Sequence, residues 1–385
     1  MLNGTHRNSR QEEVVYGQPA ATVVAARADA SGAKRLGLVT SRSLGGEGGL
    51  AERVRAALGD RVVSSFSGVR AHSPREDVIE GAARAREAGC DLLVALGGGS
   101  VIDATKVMQI CLAAGLSSPG ELDAYRASEG NRAASLELRV RMIAVPTTLS
   151  AAEFTHFAGV TDASRHAKEG YHHPLLAPRC VVLDPSATLD TPMALWFSTG
   201  LKAVDHAVEQ LTNPKRAPYA DALAEAGLRR LSRALRESKQ RPRDLDARLD
   251  CQIGMWLAMS GASAGSGLGA SHAIGHTLGG SLGVPHGMTS AVMLPAVLEW
   301  NESVLGERSK LIATLLEDDG ESAAEAVRRL CRDLELPASL RDVGVDPSRF
   351  RSIAEHTMHD RGVRANPRPI HGPEDVEEIL RIAAR

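Results

Sequence analysis

Four histidines and one lysine fall in two short segments where they can act together. His206 lies in TGLKAVDHAVEQ, which also carries Lys202, and His272, His276 and His286 lie in ASHAIGHTLGGSLGVPHG. His272 and His276 are four residues apart and share a helix face. The segments Gly279-Gly280 and Pro285-His286-Gly287 allow the chain to return a third imidazole toward them. Imidazoles so grouped hold a divalent metal or move protons near neutral pH.

A second group suits phosphate and ribose. Gly97-Gly98-Gly99-Ser100 follows the apolar run LLVAL and precedes a helical pattern from Val101. Glycines let the backbone approach a diphosphate, and the free N–H groups of the helix start bind it. Asp103 and Lys106 lie within one helical turn of this loop. Pro146-Thr147-Thr148-Leu149-Ser150-Ala151-Ala152-Glu153 follows the run RMIAV, and hydroxyls at a strand end bind a ribose or phosphate.

These segments resemble known families. GGGSVIDATK matches GGGSxxDxxK of the dehydroquinate synthase-like and group III dehydrogenase fold. PTTLSAAE is similar to PTTYAGSE of maleylacetate reductases, with Ser150-Ala151-Ala152 in place of Ala-Gly-Ser. The histidine segments resemble TGxDAxxHAxE and HAxxHxLG…PHG of the iron-containing (group III) alcohol dehydrogenases, and Asn366-Pro367-Arg368-Pro369 matches their NPRP ending. The resemblance covers nearly the whole chain. It implies NADH or NADPH as cofactor, with Gly97, Gly98, Gly99, Ser100, Asp103, Thr147, Thr148 and Lys168 as contacts. Ser41 stands where NAD-preferring relatives often carry an aspartate for the ribose 2′-hydroxyl. With Arg42 beside it, a 2′-phosphate meets no repelling carboxylate.

The resemblance also implies a metal held by His206, His272 and His286, with His276 beside the nicotinamide. Here the sequence departs from the family, because Lys202 occupies the position of the ligand aspartate. An ammonium at ligand distance repels a divalent ion, so a metal at full affinity is not expected, although three neutral histidines can hold zinc. Maleylacetate reductases also carry a different residue there and are regarded as working without metal. Lys202 would replace the Lewis acid by a charged hydrogen bond to a substrate carbonyl, with His206, His272, His276 and His286 relaying the proton. The alternatives for Lys202 are a Schiff-base amine, a head turned to solvent, or a pair with Asp205.

The elements that must position these groups follow from the pattern. Through the first half, β-like runs alternate with helical ones: 35–41, then LAERVRAALG, RVVSSFSGV, VIEGAARAREAG, DLLVALGGGS and VIDATKVMQICLAAG. This predicts an α/β, Rossmann-like dinucleotide-binding domain over 1–190. Alanine-rich helical spacing after Asp184-Pro185 predicts an all-helical catalytic domain over 191–385, the boundary falling near Thr191-Pro192. The charged stretch 238–249 reads as a solvated loop between helices.

Composition narrows the partners. With 45 basic and 47 acidic residues the formal charge is −2, which gives no attraction to nucleic acid or acidic membranes. Five scattered cysteines without a CxxC pair fit reduced thiols, and no signal-like or membrane-spanning apolar stretch is evident, so a cytoplasmic protein is expected. A homodimer is expected from the resemblance. The expected function is NAD(P)H-dependent, metal-independent reduction of a ketone, aldehyde or enone in a cleft between the domains. The alternative is a relative that has lost redox chemistry and performs a lyase, cyclase or lysine-dependent reaction there.

Overall fold

In the computed structural model the described residues are 9–44, 48–130, 132–165, 167–215, 217–264, 267–317 and 322–385, apart from the side chain of His286. Contacts divide the chain between Asp190 and Thr191 into two compact units.

The first unit runs β1 (Glu13–Tyr16), α1 (Ala20–Ala30), β2 (Leu36–Thr40), α2 (Leu50–Leu58), β3 (Val62–Phe66), α3 (Arg75–Glu87), β4 (Leu92–Gly97), α4 (Gly99–Ala114), β5 (Arg141–Pro146), β6 (Phe157–Asp162), β7 (Ala167–His172) and β8 (Cys180–Leu183). Six strands form a parallel sheet in the order β1-β8-β5-β4-β2-β3. Every residue of β4 is buried, which is why LLVAL is apolar throughout instead of alternating. The chain leaves β2 toward β3 on one side and leaves β4 toward β5 on the other. The reversal lies between the carboxyl ends of β2 and β4, where α/β sheets receive ligands. Ser41 follows the first of these ends and Gly98 the second.

The alternation read from sequence omits β1, α1, β8 and the antiparallel β6–β7 hairpin. The hairpin is anchored by a buried ion network. The Arg75 guanidinium, 3 % exposed, lies 2.7 Å from Asp123 and 3.2 Å from Asp162 and also pairs with Glu169. These partners are 48 to 94 residues from Arg75 in the chain, so no local pattern announces them.

The second unit is helical: α5 (Met193–Thr212), α6 (Pro218–Gln240), α7 (Leu245–Ala264), α8 (Ala270–Leu282), α9 (His286–Leu305), α10 (Glu307–Leu315), α11 (Ala323–Asp333), α12 (Phe350–Thr357) and α13 (Pro373–Ala383). Its core includes Ile274, Trp300, Phe350 and Ile379. The solvated loop expected over 238–249 is confined to 241–244. The α6 helix continues to Gln240 and α7 begins at Leu245, while the buried Arg248 lies 4.8 Å over the Trp196 ring. A cation on an aromatic face can be buried where an isolated charge cannot. Among the described residues no single helix is long and apolar enough to cross a membrane.

Candidate active site

In the first unit the glycine loop and the threonine loop are packed into one another. A Cβ on Gly98 would meet Thr148 Cγ2 at 3.0 Å, and one on Gly99 would meet Ser150 Oγ at 2.8 Å. Glycine is needed at both places because a side chain would push the loops apart. Thr147 N–H donates to Gly97 O at 3.1 Å and closes the joint. Thr148 Oγ1 is buried beside Gly98 with no hydrogen-bond partner in the protein. A buried hydroxyl in that condition suits a ligand oxygen. At the glycine of PTTYAGSE stands Ala151, and it adopts φ 62°, the left-handed conformation that a Cβ disfavours.

The other expected cofactor contacts are placed less uniformly. Ser100 Oγ accepts from His72 N–H at 3.0 Å, which commits it to the neighbouring turn. Asp103 accepts from Gly159 N–H at 3.1 Å and so holds the hairpin against α4. Lys168 lies across Gly159, and its charge lowers His72 after burial has done so. Ser41 Oγ is 2.9 Å from Ser43 Oγ, and Arg42 is exposed.

Lys106, the last residue of GGGSVIDATK, pins the loop from beneath. Its Nζ donates to Ala152 O at 2.5 Å, Thr155 O at 2.8 Å and Phe157 O at 2.8 Å. Burial lowers it from 10.5 to about 8. The unfolded chain therefore holds this proton more tightly between about pH 8 and about pH 10, and stability rises with pH as the buried ammonium discharges. Denaturant titrations across that window should show the rise in the wild type and its loss in Lys106→Met.

In the second unit, Lys202, Asp205, His206 and Glu209 line one face of α5, at intervals of three and four residues. Helix α8 brings His272 and His276 to them. The His206 and His272 rings stack at 4.8 Å and 20°, and His276 stands edge-on to His272 at 6.3 Å. Burial pushes His206 well below its usual range, and His272, Lys202 and His276 push it the same way. Burial likewise lowers His272 to about 4, with Asp205 opposing and Lys202 assisting the fall. Both imidazoles are neutral at pH 7. The half-buried Lys202 is thus close enough for its charge to act on both. The backbone of His286 opens α9, but its side chain lies outside the described residues.

Two carboxylates complete the cluster: Asp205, weighed in the sequence only as a partner for Lys202, and Glu209, which the sequence did not single out. Glu209 Oε2 accepts from Gly269 N–H at 2.8 Å, Oε1 accepts from Ser271 N–H at 2.8 Å, and His272 Nδ1 is 2.8 Å from Oε2. Glu209 thus caps the first turn of α8 and accepts a hydrogen bond from His272 Nδ1–H, which puts that ring's lone pair on Nε2. Asp205 Oδ2 accepts from Ser271 Oγ at 2.8 Å and lies 3.5 Å from His272 Nδ1. Burial raises Asp205 to about 7 and Glu209 to about 7, opposed at Glu209 by the backbone donors. Among the described residues, ligand atoms of Asp205, Glu209 and His272 lie within 4.8 Å of one another, while the expected ligand His286 has its side chain outside the described residues.

The chain matches the model of iron-containing alcohol dehydrogenase over residues 11–185 and that of the C-terminal part of the Fe-containing alcohol dehydrogenase family over 196–384. It is 33 % identical to 4-hydroxybutyrate dehydrogenase of Cupriavidus necator, covering 88 % of this chain and 89 % of that one. It is 31 % identical to maleylacetate reductase 2 of Cupriavidus pinatubonensis, covering 87 % and 84 %. The crystal structure of a 1,3-propanediol oxidoreductase superposes with a TM-score of 0.89 at 29 % identity, covering 99 % of this chain and all of that one. A sheet unit with a glycine loop and a helical unit with clustered histidines are therefore the two halves of one enzyme type, and the chain is an oxidoreductase belonging to the iron-containing alcohol dehydrogenase family.

Proposed function

We propose that this protein is an NAD(P)H-dependent reductase of a ketone, aldehyde or enone that uses Lys202 in place of a metal ion. The observation that carries the reading is the position of Lys202 on the α5 face of His206, with its charge acting on both buried imidazoles. Gly97, Gly98, Gly99, Thr147 and Thr148 would hold the dinucleotide, and the orphaned Thr148 hydroxyl supports that fit. When bound, the reduced nicotinamide supplies a hydride to the carbonyl carbon. The Lys202 ammonium donates to the carbonyl oxygen as negative charge gathers there. His206 and His272, kept neutral by burial, can accept and pass on protons.

Lys202 is what stands against the family's metal. Asp205 Oδ1 and His206 Nδ1 are buried and make no hydrogen bond, so donor atoms are open to a cation, but a divalent ion there would face the Lys202 ammonium on the same helix face. Purified protein is expected to contain well under one equivalent of zinc or iron by elemental analysis. A tightly held full equivalent would overturn this part of the reading.

The reaction itself is tested by titrating the protein with NADPH and NADH and then following hydride transfer to a panel of carbonyl compounds. With Ser41 and Arg42 at the end of β2, NADPH is expected to be used with higher kcat/KM than NADH. A strong NADH preference would refute that cofactor assignment, and binding without turnover would refute the reductase.

A further inference from the structure

The segment after α12 meets the histidine helix at one charged contact. Asp360 Oδ2 lies 2.9 Å from His276 Nδ1, while Asp360 Oδ1 accepts from Gly362 N–H at 2.7 Å. Each oxygen of this carboxylate has its own duty. Burial would raise Asp360, but its bonds from His276 and Gly362 hold it below the usual carboxylate range. It faces His276 as an anion.

The contact is held by packing as well as charge. A Cβ on Gly362 would come within 2.8 Å of Gly269 O and 3.1 Å of Leu268 O, so the 360–365 turn sits directly on the residues that open α8. Here glycine permits a close approach of two backbones. Glu209 caps those same residues from α5. The two histidines of α8 are therefore oriented by carboxylates from two different elements, His272 by Glu209 and His276 by Asp360. They differ in access. The His272 side chain is 2 % exposed and that of His276 is 52 % exposed.

We propose that Asp360 is a positioning residue that fixes His276 as the Nδ1–H tautomer, making Nε2 of this half-exposed ring the site where the product's proton is delivered. This rests on the reductase reading above. An imidazolium so held gives its Nε2 proton to the alkoxide oxygen formed when hydride reaches the carbonyl carbon. The N–H bond breaks and the O–H bond forms, the ring keeps its Nδ1–H on Asp360, and a proton from water restores the imidazolium. The anion opposite Nδ1 accepts that N–H and prevents the tautomer that would put the resting proton on Nε2.

Asp360→Asn separates this role from a structural one. The amide oxygen still accepts from Gly362 N–H, but the amide nitrogen can only donate to His276 Nδ1, which reverses the tautomer. The variant is expected to keep its Tm and its Kd for NADPH while kcat for carbonyl reduction falls about 100-fold. In a His276→Ala background the same change should cost nothing further, because Asp360 acts through His276. Nitrogen-15 NMR of the histidine rings should show His276 changing from the Nδ1–H to the Nε2–H form. A kcat within about 3-fold of wild type, or an equal loss with His276 already removed, would overturn the proposal. Failure of the wild type to reduce any carbonyl would sink the reductase reading, whereas an unchanged tautomer in Asp360→Asn would sink the role of Asp360 alone.

Discussion

Lys202→Ala is expected to lower kcat by roughly 10²- to 10³-fold while leaving the Kd for NADPH within about 2-fold of wild type. The size follows from removing a preorganised donor at the oxygen where charge develops. Here the donor is an ammonium beside imidazoles that are themselves uncharged. Cofactor affinity is spared because Gly97–Ser100 and Thr147–Thr148 belong to the first unit, which ends at Asp190. Stopped-flow reduction of an aldehyde and fluorescence titration with NADPH measure the two quantities. Lys202→Asp makes the opposite case. It replaces a repelling charge by a carboxylate on the face of His206, so bound zinc should rise toward one per chain. If Lys202→Ala kept wild-type turnover, the lysine would be a solvated surface group and the metal-free mechanism would have no electrophile.

The fold was legible where burial imposes a pattern. LLVAL is apolar because β4 is covered on both faces, and the long helices α6 and α11 carry the helical period read from sequence. The hairpin was not, because β7 buries only Tyr171 and the pair owes its place to Arg75, some 90 residues earlier. A similar division runs through the candidate site. His272 and His276 announce themselves by spacing, whereas Glu209 and Asp360 lie 63 and 84 residues from the rings they orient. Lys106 stands out by its motif, and only the structure shows that it ties three backbone carbonyls. Ala151 lies between these cases. The substitution for glycine was visible, but only the structure shows that Ala151 adopts a left-handed φ, a conformation that favours glycine.

Glu209→Ala should be the most destabilising single change in this cluster, by about 3–5 kcal/mol from the donors it leaves unsatisfied. The carboxylate is 5 % exposed and takes the N–H groups of Gly269 and Ser271 together with the His272 Nδ1 proton. Alanine leaves these donors buried without an acceptor, at roughly 1–3 kcal/mol each, and Asp205, 3.5 Å from His272 Nδ1, can recover only one of them. Against a total stability of about 5–15 kcal/mol this is a large fraction, and for a helical unit of this size it corresponds to a fall in Tm on the order of 10 °C. Glu209→Gln separates the cap from the proton. Its amide oxygen still accepts one backbone N–H of α8, but its NH₂ cannot accept from His272. The ring must then pair with Asp205 alone or change tautomer. Melting by calorimetry should therefore rank wild type above Glu209→Gln and Glu209→Gln above Glu209→Ala, while kcat should fall steeply in both variants. A Tm for Glu209→Ala within about 3 °C of wild type would mean that α8 is held without the clamp, and the orientation of His272 would then need another cause.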